Sequence, residues 1–139
     1  YFAFQSADYD LPSMKICPVP ARPVPILIGG HAEPALRRAA RIGDGWMHAG
    51  GDPVELATCL TKLKAMMREY GRENAPFEVH ASSMDAYSTD GVKRLEDLGV
   101  TDLVVGFRNP YTKRQDTQPL AEKLDLLRGY ADNVIGKVA

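Results

Sequence analysis

The run ILIGGHAEPALRRAARIGDGWMHAG, residues 26–50, constrains the fold of this chain more than any other stretch. Three apolar residues end at the pair Gly29-Gly30. A helix-like spacing of apolar positions follows, and a second short strand opens at Asp44-Gly45-Trp46. A short, wholly apolar strand suits a sheet covered on both faces. Passing through a helix to the next strand, with no Asn-Gly hairpin signal between, makes the two strands parallel neighbours.

The same rhythm repeats. Strands are predicted at 26–28, 44–48, 77–82 and 102–106, and helices at 33–42, 53–70 and 89–98. A last helix starts at Pro119 and runs through Leu120, Leu124, Leu127 and Ala131. In the longest helix Leu56, Cys59, Leu60, Leu63, Met66, Met67 and Tyr70 recur at spacings of three and four, which makes one buried stripe. Pro34 suits a first helical turn, Thr89 a cap, and Gly71 and Gly99 helix ends.

Residues 1–25 carry Pro12, Pro18, Pro20, Pro23 and Pro25, and read as an irregular, proline-rich connecting arm. Residues 26–139 form the folded domain. Right-handed crossovers put its helices on one side of a curved sheet. The expected fold is therefore α/β, four βα units making half of a TIM (β/α)8 barrel. A small doubly wound sheet is the alternative. A half-barrel leaves sheet edges and an apolar face bare, to be covered by further chain or by a second copy.

Composition narrows the function. Seventeen basic and eighteen acidic residues give a net charge of -1, which argues against a nucleic-acid partner. No segment has the length and apolarity of a membrane span or the layout of a signal peptide. Cys17 and Cys59 lack a Cys-x-x-Cys spacing, so a reduced, cytoplasmic setting is the plainer expectation. The first residue is Tyr rather than Met, which reads as part of a longer protein.

Residues 25–30 (PILIGG), 33–40 and the Gly43-Asp44-Gly45-Trp46 run together resemble the luciferase-like monooxygenase superfamily. They are most similar to its branch of oxidoreductases dependent on the deazaflavin coenzyme F420. The long helix, the strand at 77–82 and the DLVVG strand ending at Gly106 continue the likeness, which spans residues 20–135. Members are full barrels, so the resemblance implies that this chain is their C-terminal half alone, the fifth to eighth strand–helix units of the barrel. It implies hydride transfer between a deazaflavin and a small organic substrate. FMN-dependent oxygenation, as in the flavin-using branch, is the alternative. The catalytic residues are implied to lie in the other half, leaving this chain inactive alone, with either the missing half-barrel or a second copy as partner. A non-catalytic half-barrel that dimerises is a third reading.

Gly29, Gly30, His31 and Ala32 are the first candidate site. Glycines permit close backbone approach, and a helix N-terminus offers free N–H groups to a phosphate. The resemblance implies a cofactor phosphate there; a tight turn without ligand is the plain alternative. Neither GxGxxG nor GxxxxGK is present. Asp44 is placed to accept backbone hydrogen bonds at its turn, and Gly45 to allow close packing. Trp46 is read as filling the barrel interior or bordering the cofactor ring, and His48 as lining the pocket mouth.

His80 shares a strand face with Glu78 and Ser82, either inside the barrel or on a poorly buried face. The three histidines are scattered, without metal-ligand spacing, so no metal site is expected. Arg108 and Asn109, with Tyr111, Lys113 and Arg114 beyond, make a polar rim loop, solvated or facing an acidic group. Arg37, Arg38 and Arg41 read as the outer face of the first helix.

Overall fold

The computed structural model describes residues 1–108 and 112–138. An antiparallel pair comes first, β1 (Phe2–Gln5) and β2 (Asp10–Met14). This corrects the expectation that residues 1–25 are irregular throughout. Ser6 builds the turn: its hydroxyl accepts from the amides of Asp8 and Tyr9 at 3.2 and 3.1 Å, while its own amide donates to the Tyr9 carbonyl. Pro12 is tolerated because each strand of a two-stranded ribbon has one edge without a ladder to interrupt. Residues 15–26 then run without helix or strand, as their prolines require.

The second sheet is built from β3 (Leu27–Gly29), β4 (Gly45–His48), β5 (Glu78–Ala81) and β6 (Asp102–Leu103). All neighbours are parallel, and the spatial order β3-β4-β5-β6 is the order in sequence. Between them come α1 (Glu33–Ile42), α2 (Pro53–Glu69) and α3 (Thr89–Leu98), with α4 (Leu120–Tyr130) after β6. A doubly wound sheet reverses its strand order at a switch point. Sequential order is instead that of consecutive units of a (β/α) barrel, so the fold is α/β with a partial-barrel arrangement.

Local chemistry explains the helix ends. Asp52 caps α2, its Oδ1 accepting from the Val54 amide at 2.8 Å. Ser88, rather than the expected Thr89, caps α3 through a 3.1 Å bond from the Gly91 amide. Gly99 ends α3 in the left-handed region at φ 97°, where a side chain is strained.

Register decides which face of the sheet is covered. Ile28 pairs with Trp46, Trp46 with Val79, and His48 with Ala81, so these five share one face. Leu36, Ala39 and Ala40 of α1 and the α2 stripe from Leu56 to Met67 pack on that side, forming the core. Fully burying each large aliphatic side chain there contributes about 1.5–3 kcal/mol. The opposite face carries Leu27, Met47, Glu78 and His80, all partly exposed. That is the face a closed barrel turns inward.

Two expected elements are shorter or less buried. β6 pairs only over Asp102–Leu103 because β5 ends at Ala81. In α4, Leu120, Leu124 and Leu127 remain 70%, 38% and 54% exposed, so the anticipated inner stripe buries nothing. Among the described residues no helix is long and apolar enough to cross a membrane.

Candidate functional site

The C-terminal ends of the four parallel strands gather at one edge, the edge where barrels carry their sites. At β3 the chain turns through Gly29 and Gly30 into α1. Gly30 sits at φ +110°, and a Cβ there would lie 3.0 Å from the Ala35 Cβ, so only glycine fits without strain. A Cβ on Gly29 would meet nothing within 4 Å, which leaves that surface open to an incoming group. Ala32 begins α1 with extended backbone and no side-chain cap; Pro34 has no N–H and Ala35 and Leu36 donate to the Ala32 carbonyl, so Glu33 carries the open first-turn amide. That amide and the helix dipole favour an anion. Glu33 opposes it, but its carboxylate is turned to Arg37 at 3.1 Å.

Trp46 does not fill the inward-turned face, which corrects the sequence expectation. Its register opposite Val79 sends the indole to the helix side, where it is 0% exposed. There its Nε1–H donates to the Gly30 carbonyl at 2.9 Å and fixes the glycine turn from beneath. Asp44 acts as anticipated, its carboxylate accepting from the Ile26 amide at 2.9 Å. Gly45 does allow close packing: a Cβ there would come 2.6 Å from the Glu78 carbonyl oxygen.

His48 lies on the same covered face and is 1% exposed, so it lines no open pocket mouth. Among the described residues neither of its ring nitrogens has a hydrogen-bond partner. The His31 ring stacks on it at 4.4 Å and 10°, and His31 Nδ1 is 3.2 Å from Glu55 Oε1. Histidines that look scattered along the chain are thus neighbours in space. Burial, reinforced by the nearby His31, holds the His48 pKa below the ordinary 6.5. The folded state then binds fewer protons than the unfolded one, so stability is complete above pH 6.5 and falls as pH drops below it. Urea midpoints measured from pH 8 to 5 should show that decline, at most about 1.4 kcal/mol per pH unit for this one group. A His48→Phe variant should decline less.

The second polar group lies on the inward-turned face, which settles the question left open for His80. Its Nε2 is 2.9 Å from Glu78 Oε2 and 3.3 Å from Asp102 Oδ2. At the rim Arg108 donates to the Arg114 carbonyl at 2.6 Å and pairs with Asp116 at 3.4 Å. Its guanidinium is therefore engaged within its own loop. Asn109 and Tyr111 lie outside the described residues. Arg37 is tied to Glu33 and Glu69, consistent with an outer helix face. Ser82, Met84, Tyr87, Val104, Phe107 and Arg108 line an open groove of about 680 Å³ beyond β5 and β6. Sequence reasoning missed this groove, whose base is the unanticipated turn Met84–Tyr87 capped by Ser83.

Residues 2–130 match the luciferase-like monooxygenase family. The chain belongs to that family. It is 54% identical over 138 residues to uncharacterized proteins of Mycobacterium bovis and of two strains of Mycobacterium tuberculosis. The alignments take in 99% of this chain and 47% of each relative, so it spans about half the length of the curated relatives it matches. These matches correct the expectation that the likeness is confined to residues 20–135 and to the C-terminal half of the family. The luciferase-like match begins at residue 2 and takes in the β1–β2 ribbon. Proline content and the absence of a hairpin signal concealed that segment.

Proposed function

We propose that this chain supplies the phosphate-binding part of a luciferase-like oxidoreductase that uses the deazaflavin coenzyme F420 and acts on a small organic substrate. The observation that carries the reading is the open Gly29-Gly30 turn feeding an uncapped α1 at the C-terminal edge of a parallel sheet. That geometry fits a phosphate without a cationic side chain.

When bound, the deazaflavin supplies hydride chemistry at its C5. The chain's own residues bind and orient it. Amides following Gly30 hold the phosphate, His31 and Ala32 border it, and Gly29 lets it approach the backbone. Trp46 and His48 act from beneath: Trp46 holds the Gly30 carbonyl, and the His48 ring supports that of His31. The partly polar face with Glu78 and His80 closes with further strands into a (β/α)8 barrel in the longer protein, which supplies the catalytic residues.

Parallel titrations with F420, followed by its fluorescence, and with FMN test this reading. F420 should bind more tightly, and Gly30→Val should weaken binding at least tenfold by straining the turn. Tight binding of FMN with none of F420 would assign the chain to the flavin-using branch. Binding of neither would overturn the phosphate site.

A further inference from the structure

We propose that His31, His48 and Glu55 form a three-ligand site for a divalent transition-metal ion of the zinc type. Each comes from a different element: His31 from the turn after β3, His48 from the end of β4, Glu55 from the first turn of α2. One ligand atom from each lies within 4.8 Å of the other two. His31 Nδ1 and Glu55 Oε1 are 3.2 Å apart. Two ligands on a tetrahedral zinc, with bonds near 2.0–2.1 Å, sit about 3.3 Å from each other.

His48 distinguishes this cluster from a chance grouping of surface residues. It is buried, and neither nitrogen has a partner among the described residues. A buried polar group left unpaired is costly, and native interiors rarely keep one without a use. Its ring stacks on that of His31 at 4.4 Å and 10°, so the partly exposed His31 ring turns about its side-chain bonds for both imidazoles to face one ion. Gly51 keeps that space clear. A Cβ there would lie 2.7 Å from Glu55 Oε2 and 3.7 Å from His48 Nε2, and its φ of +139° favours glycine. His31 and Glu55 are 27% and 46% exposed, which leaves the solvent side free for a water as fourth ligand.

The Glu78–His80–Asp102 group is the weaker rival. There one nitrogen, His80 Nε2, already faces both carboxylates, as a shared proton requires, and all three side chains are at least a quarter exposed. Spacing rules missed the first cluster because they search for ligands within one element. An ion at His31, His48 and Glu55 would tie the β3–α1 turn to the start of α2. The site stands on these side chains, independently of which cofactor the adjoining amides hold.

The test is to strip the protein with a chelator and titrate it with zinc by calorimetry and with cobalt(II) by visible absorption. One equivalent should bind, with the d–d bands of four-coordinate cobalt. His31→Ala and Glu55→Gln should each weaken binding at least tenfold, while His80→Ala leaves it unchanged. Both changes are at partly exposed side chains, and circular dichroism verifies that the variants fold. No stoichiometric zinc binding by the native chain would overturn the site. So would native-like binding by His31→Ala and Glu55→Gln, or a loss confined to His80→Ala.

Discussion

Trp46→Ala should lower the unfolding free energy by about 3–5 kcal/mol, the range for removing a large aromatic from a packed core. The indole is wholly buried between β4 and the helices, and its Nε1–H satisfies the Gly30 carbonyl. Its loss therefore opens a cavity and frees the glycine turn together. In a domain stable by about 5–15 kcal/mol that is a large share of the total. Trp46→Phe separates the two effects, since it keeps much of the volume but not the donor; about 1–3 kcal/mol is expected. Trp46 is the chain's one tryptophan, so urea unfolding of both variants must be followed by circular dichroism.

Gly91→Ala should destabilise by about 1–3 kcal/mol through overpacking. Ordinarily the same change inside a helix stabilises by about 0.8–1.0 kcal/mol. The sign reverses here because α3 crosses the Met84–Tyr87 turn so closely that an added Cβ would run into the Asp85 carbonyl oxygen. Gly129 in α4 is the control. A Cβ there meets nothing within 4 Å, so Gly129→Ala should raise the thermal midpoint while Gly91→Ala lowers it.

These two residues mark what the sequence conveys and what it withholds. Helices α1 and α3 run over 33–42 and 89–98 as anticipated, because Pro34 and Gly99 are local signals, although Ser88 rather than Thr89 caps α3. Strand ends are set by partners far along the chain, so β6 stops at Leu103 although DLVVG continues apolar. The β1–β2 ribbon escaped notice because its turn is built by the Ser6 hydroxyl rather than by an Asn-Gly pair. In a strand as short as Gly-Trp-Met-His, alternation cannot say which face meets the helices. Only the register with Val79 and Ala81 does, and it moves Trp46 and His48 to the covered side.

The candidate site divides the same way. The Gly29–Gly30 turn and the start of α1 are contiguous and could be read directly. The approach of His31, His48 and Glu55 depends on three elements packing together, and no spacing rule reports that. Trp46 and His48 were legible as important residues, but the structure gives them a place beneath the loop rather than in an open pocket.

In the proposed binding mode the turn at residues 29–32 holds the cofactor phosphate. Amide NMR of the 15N-labelled protein during titration with F420 tests it most directly. The largest shifts should fall on the amides of Gly29, Gly30, His31, Ala32 and Glu33, with smaller changes at Trp46 Nε1–H. Shifts concentrated instead around Ser82 and residues 104–108, with residues 29–33 unmoved, would contradict the account and place the cofactor in the groove beyond β5 and β6.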